Sequence, residues 1–206
     1  MKYKESLTWE AMEAEFLKSE WYLAEYNSYR DVHNPHREFF DKIVTAPDLF
    51  NTVHNRIRTA LLWQWNRRGF FLSYLPPDTK WRVSELEDGD FEKILIVKEG
   101  TWLPVFGDSV TLSDTAKAVL LDKVPSQNEH IEKIRRFKDR IGAADFNGSI
   151  IAITSSIKGP HTIIEGNHRA VALQLRVEES GDKSHLPRYI IVGESPNMQN
   201  CPWSNS

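Results

Sequence analysis

His161-Thr162-Ile163-Ile164-Glu165-Gly166-Asn167-His168-Arg169-Ala170-Val171-Ala172-Leu173 is the stretch whose reading decides the fold. Thr162, Ile163 and Ile164 are β-branched and predict a short strand. Gly166 allows a positive φ or a close approach of backbone to a ligand. From Asn167 the composition turns helical through Ala170, Ala172, Leu173, Gln174 and Leu175, and Asn167 is expected to cap that helix. A strand, a glycine turn and a helix N-terminus aim N–H groups and a positive dipole end at one spot, which suits an anion. His168 and Arg169 add two cationic donors there. Glu165 lies at the strand's C-terminal end, where ligands of open α/β sheets gather. A carboxylate beside phosphates makes sense as a metal ligand or a general base.

Working outward, residues 126–141 predict a helix, with Ser126-Gln127-Asn128-Glu129 as a capping box and Ile131, Ile134, Phe137 and Ile141 on the buried side. Gly148 to Ser156 predicts a strand, and Lys158-Gly159-Pro160 a turn leading into the glycine loop. Arg188 to Val192 is the last expected strand. The order helix, strand, hairpin, strand, loop, helix, strand describes an α+β unit.

Glu165-Gly166-Asn167-His168-Arg169 resembles the acid-Gly-x-x-Arg signature of the ParB/sulfiredoxin-like superfamily, over roughly Ile131 to Val192, under a third of the chain. The loop is similar to the Gly-Cys-His-Arg loop of sulfiredoxins, with Asn167 in the place of the catalytic cysteine, and to the Asp-Gly-His-Thr-Arg loop of ParB-like free-serine kinases. The resemblance implies a nucleotide-binding region at 125–206, packed against a mainly helical region at 1–124 that carries no motif. It implies ATP or another NTP with Mg²⁺ as cofactors, held by Gly166, Asn167, His168 and Arg169, with Glu165 as metal ligand and Glu165 and His168 as catalytic groups. The partners so implied are a nucleotide and a small-molecule acceptor, and the reaction is phosphoryl transfer. That chemistry asks a protein for positioning and charge stabilisation. The helix-turn-helix domain of partition proteins is not expected in the short stretch after Arg169, and a sulfiredoxin would need the loop cysteine. A DNA-associated ParB-like protein or nuclease, or a nucleotide-sensing module without turnover, are the alternatives.

With 206 residues, 40% hydrophobic and 27% charged, the chain can bury one sizeable core. A net charge of −3 argues against nucleic acid as a partner. There is no long apolar run and no signal-peptide pattern at Met1-Lys2-Tyr3-Lys4-Glu5, so no membrane span and a cytoplasmic setting are expected. Cys201, the one cysteine, is flanked by no nearby base and is not expected to be catalytic. Of seven tryptophans, Trp9, Trp21, Trp63, Trp65, Trp81 and Trp102 fall in the first half and point to an aromatic core.

In that half, Thr8 should cap a helix over 8–27 with Trp9, Met12, Phe16 and Leu23 on one face. Residues 31–38 carry two histidines and two carboxylates, but Pro35 breaks any helical pairing and a turn is expected rather than a metal site. A second helix over 47–68 is expected, with Phe50, Val53, Ile57, Leu61 and Trp65 inward, Gly69 at its end and Arg56, Arg58, Arg67 and Arg68 on a solvated face. Trp81-Arg82-Val83 predicts a strand, Glu92 to Val97 a strand buried on both faces, Thr101 to Phe106 a short strand, and Ser113 to Leu121 a short helix.

Overall fold

The computed structural model describes residues 1–64, 66–98, 100–108, 110–125, 127–142 and 148–204, with the side chains of 66–69 outside the description. Five strands form one sheet: β1 (Lys2–Leu7), β2 (Lys80–Glu85), β3 (Ile151–Thr154), β4 (Thr162–Glu165) and β5 (Tyr189–Glu194), in the order β1-β2-β5-β3-β4. β1 pairs antiparallel with β2, and β2 antiparallel with β5. β3 runs parallel to β5, with Ile151 opposite Ile191, and antiparallel to β4. The fold is therefore mixed α+β. The region 1–124 supplies two of the five strands, so it completes the sheet rather than only packing on it.

The helices are α1 (Trp9–Glu20), α2 (Asn27–Arg30), α3 (Arg37–Thr45), α4 (Thr52–Gln64), α5 (Asn66–Ser73), α6 (Leu103–Phe106), α7 (Leu112–Leu120), α8 (Glu129–Asp139) and α9 (Asn167–Ser180). The Thr8 hydroxyl does cap α1, accepting from Ala11 N at 3.2 Å. α1 stops at Glu20, short of Tyr26, so Leu23 leaves the apolar face and stands 40% exposed while Met12 and Phe16 are fully buried. The expected helix over 47–68 starts only at Thr52, and Phe50 is exposed. Helix also continues through Gly69 to Ser73, so Gly69 is no terminator. Trp65 and the side chains of Arg67 and Arg68 lie outside the described residues.

Two further expectations are corrected. Thr101 to Phe106 forms no strand but the short helix α6, with Pro104 in its first turn, where a missing N–H costs nothing. Residues 94–97 are buried, as expected of a central strand, yet among the described residues one bridge, Leu95 to Thr162, joins them to the sheet, and a second runs from Leu95 to Thr111 at the start of α7. Leu95 N donates to His161 O at 2.8 Å and Ile163 N donates to Leu95 O at 2.9 Å, so this extended segment covers the outer edge of β4.

The core is continuous. It joins Met12, Phe16 and Trp21 to the strands through Ile151, Ile153, Ile163 and Val192, and to the helices through Ile131, Ile134 and Val171. Among the described residues no helix is long and apolar enough to cross a membrane.

Candidate functional site

The strand, glycine turn and helix expected at residues 162–180 are all present. Gly166 is left-handed at φ 91°, and it, not Asn167, occupies the N-cap of α9. A Cβ at Gly166 would come within 3.2 Å of Ile150 and of the Arg169 guanidinium. Asn167 becomes the first helical residue and turns its amide inward. Its Oδ1 accepts from Val97 N at 2.9 Å, and its Nδ2 donates to Ile163 O at 3.4 Å. The amide thus fastens the 94–97 segment to the turn.

Arg169 is 5% exposed and also faces inward. Its Nη1 donates to Gly148 O at 2.8 Å, and its Nη2 donates to Ser149 O at 3.2 Å and Ser19 Oγ at 3.0 Å. Glu165 Oε1 lies 3.5 Å from the same Nη2, an i,i+4 ion pair with both side chains largely buried. Burial pulls the guanidinium below its ordinary value, while the carboxylates of Glu165, Glu15 and Glu20 hold it up. The arginine strut fixes the glycine turn to the entry of β3 and to the end of α1. Gly148, at φ 97°, is held there because a Cβ would stand 2.7 Å from Arg169 Nη1 and 2.9 Å from Ser19 Cα.

β4 is antiparallel to β3, so Glu165 at its C-terminal end stands where β3 and β5 begin. It is therefore not at the carboxyl end of the parallel pair, where ligands of α/β sheets collect.

His168, the second residue of α9, faces outward into a cluster that sequence spacing does not reveal. Its Nε2 lies 2.9 Å from Nδ1 of His130, the second residue of α8. His130 Nε2 lies 3.0 Å from Thr101 O. A carbonyl only accepts, so that nitrogen of His130 carries a proton. The bond between the two imidazoles then needs one proton and one lone pair, and both rings cannot be cationic while it holds. Trp102, 3% exposed, packs on both rings, with centroids 4.4 Å from His130 and 4.7 Å from His168.

The meeting of the histidines follows from helix packing. α8 and α9 contact each other at their N-terminal ends through His130 and His168 and at their C-terminal ends through Lys138 Nζ and Glu179 Oε1, 2.8 Å apart. The two helices therefore run parallel, with their N-termini side by side. Their dipoles add positive potential at one place. In α9 the first helical bond is Ala170 N to Gly166 O, so the N–H groups of residues 167–169 precede the ladder. Asn128 caps α8 by accepting from His130 N at 2.8 Å; Ser126, the expected cap, lies outside the described residues.

Among the described residues no group of three or more His, Cys, Asp or Glu is arranged to hold a metal, in the 31–38 turn or elsewhere. Mg²⁺ needs only one or two carboxylates beside waters and substrate phosphates, and Glu165, the expected ligand, is held in an ion pair with Arg169. Cys201 is buried, and burial pushes its thiol up, away from the reactive thiolate. In the basic helix Arg58 is 1% exposed, donating to Ile43 O at 3.1 Å and Asp48 O at 3.3 Å, so it stands on no solvated face; Arg56 does.

The chain matches no protein-family model, no curated protein and no solved structure.

Proposed function

We propose that the protein binds the phosphates of a nucleotide where the N-termini of α8 and α9 meet, in the manner its glycine loop shares with the ParB/sulfiredoxin-like superfamily. The observation that carries this reading is the His130–His168 pair at two adjacent, parallel helix N-termini. Two positive dipole ends side by side are unfavourable to each other and are relieved by an anion. In this reading Gly166 and the first turn of α9 receive a phosphate, the imidazole pair takes up one proton so that His168 donates to it, and Trp102 with His130 backs the imidazole. Arg169 and Asn167 contribute by holding the turn in shape rather than by touching the ligand.

Turnover is a further step of the proposal. Phosphoryl transfer to or from a small molecule would use Glu165 to hold Mg²⁺ or to take the acceptor's proton. Mg²⁺, when bound, would neutralise charge on the phosphates. One observation favours the second reading, a binding module without turnover: Glu165 already leans on Arg169 and is 12% exposed. A carboxylate so engaged is a framework group unless the turn rearranges.

The experiment is an equilibrium binding screen of ATP, CTP, GTP and ADP with and without Mg²⁺, followed by transfer assays on a panel of small alcohols. Saturable binding of at least one nucleotide supports the reading, and binding of none overturns it. If Glu165→Gln binds nucleotide but loses transfer by about 10²–10⁴-fold, Glu165 is the acid–base group. Transfer unaffected by that change removes Glu165 from the chemistry, and no transfer by the wild-type protein leaves the binding module.

A further inference from the structure

The molecule has a cleft apart from the glycine turn. This cleft, of about 610 Å³, opens between the 157–161 hairpin, which follows β3, and the 90–94 turn, with Met1 also in its lining. His161 and Gly166 flank β4 on opposite sides, roughly 16 Å apart at the ordinary strand rise. The cleft is thus separate from the glycine turn.

Its lining combines three kinds of chemistry. Ile94, Ile157 and Pro160 give an apolar wall. Lys93 and Lys158 bring two exposed ammonium groups, of which Lys93 also acts on the Asp90 carboxylate. Asp90 is already engaged, with the Met1 ammonium 2.8 Å from its Oδ2. His161 is 92% buried, and among the described residues its Nε2 has no hydrogen-bond partner. Buried polar atoms of native proteins are nearly always paired, so an orphaned imidazole nitrogen at a cleft marks a missing partner. Burial lowers the pKa of the ring, as does the Met1 ammonium, against the pull of Asp90 and Glu194. A neutral imidazole is therefore the form a ligand meets at neutral pH, and it completes its bonding with a hydroxyl.

We propose that the cleft between residues 90–94 and 157–161 is a second binding site, for a small hydroxylated anion whose acidic group pairs with Lys93 and Lys158 and whose hydroxyl completes the hydrogen bonding of His161. The site is independent of the nucleotide reading.

The test uses the full chain and three probes: glycerol 3-phosphate, propyl phosphate, which lacks the hydroxyls, and glycerol, which lacks the charge. Binding is followed through the ring resonances of His161, assigned by comparison with His161→Phe. The expected result is a saturable shift with glycerol 3-phosphate, an affinity at least about tenfold lower for propyl phosphate, and no shift with glycerol. Lys93→Ala/Lys158→Ala alters only surface side chains and should lower the affinity about tenfold or more while the fold, checked by the amide spectrum, is kept. The absence of a saturable His161 shift, or equal affinity in the double variant, overturns the site. A phosphate seated at the glycine turn would move His130 and His168 instead, so failure here and failure of the nucleotide reading are told apart by which histidine responds.

Discussion

Arg169 shows how a motif residue can serve the fold instead of a ligand. Its position after a glycine turn suggests a phosphate clamp, yet its guanidinium is spent on the carbonyls of Gly148 and Ser149, on Ser19 and on Glu165. Removing it would leave buried carbonyls without donors and the Glu165 carboxylate without its cation. Arg169→Ala is expected to cost about 3–5 kcal/mol of stability, the range for breaking a buried charge pair. Arg169→Lys should recover only part, because one ammonium cannot span four acceptors as a planar fork does. Urea denaturation measures both. A stable Arg169→Ala protein with weakened nucleotide affinity would return this residue to the binding surface. The sequence names Arg169 and Asn167 as important but not the direction in which they point. That direction is set by Val97 and Gly148, far away in the chain, and no local pattern encodes it.

Elements whose residues carry their own instructions are the legible ones. β4, Gly166 and α9 follow from β-branched residues, a glycine and helix formers in succession, and α1 from the Thr8 cap. β1 is not legible: Lys2-Tyr3-Lys4-Glu5-Ser6-Leu7 has no apolar face, and only its pairing along β2 makes it a strand. The 94–97 segment has the composition of a central strand, but its neighbours offer it a few bridges instead of a ladder. Trp102 and His130 escape sequence reading for the same reason, since the parallel packing of α8 on α9 brings residues 38 apart into contact. At this scale the start of α8 is decisive, because its cap also places His130. Asn128→Ala is expected to lower stability by about 1 kcal/mol, the usual weight of an N-cap. It should also shift the ring signals of both histidines. Unchanged stability by thermal or urea unfolding would mean that the Asn128 cap carries no weight.

The whole molecule is tied together by its sheet. β5 lies between β2, from the first half, and β3, from the second. A fragment of residues 125–206 would expose the edge of β5 and the apolar side chains that meet Met12, Phe16 and Trp81 in the core. We expect that fragment to lack a cooperative unfolding transition and dispersed amide resonances; a well-folded fragment would show that the second half is an independent unit after all. Residues 1–124 also bring the buried side chain of Trp102 against both imidazoles, so the junction is assembled from both halves.

The proposed anion seat is the junction of α8 and α9. Its most direct test is a titration of the full chain with Mg²⁺·ATP and, separately, with inorganic phosphate, observed through the imidazole resonances of His130 and His168. We predict saturable shifts of both rings. Affinity should fall in His168→Ala by about 1.5–3 kcal/mol, the range for a charged hydrogen bond, with the amide spectrum otherwise preserved. Neither ring responding to either titrant, or a His168→Ala protein that binds as the wild type does, would contradict it.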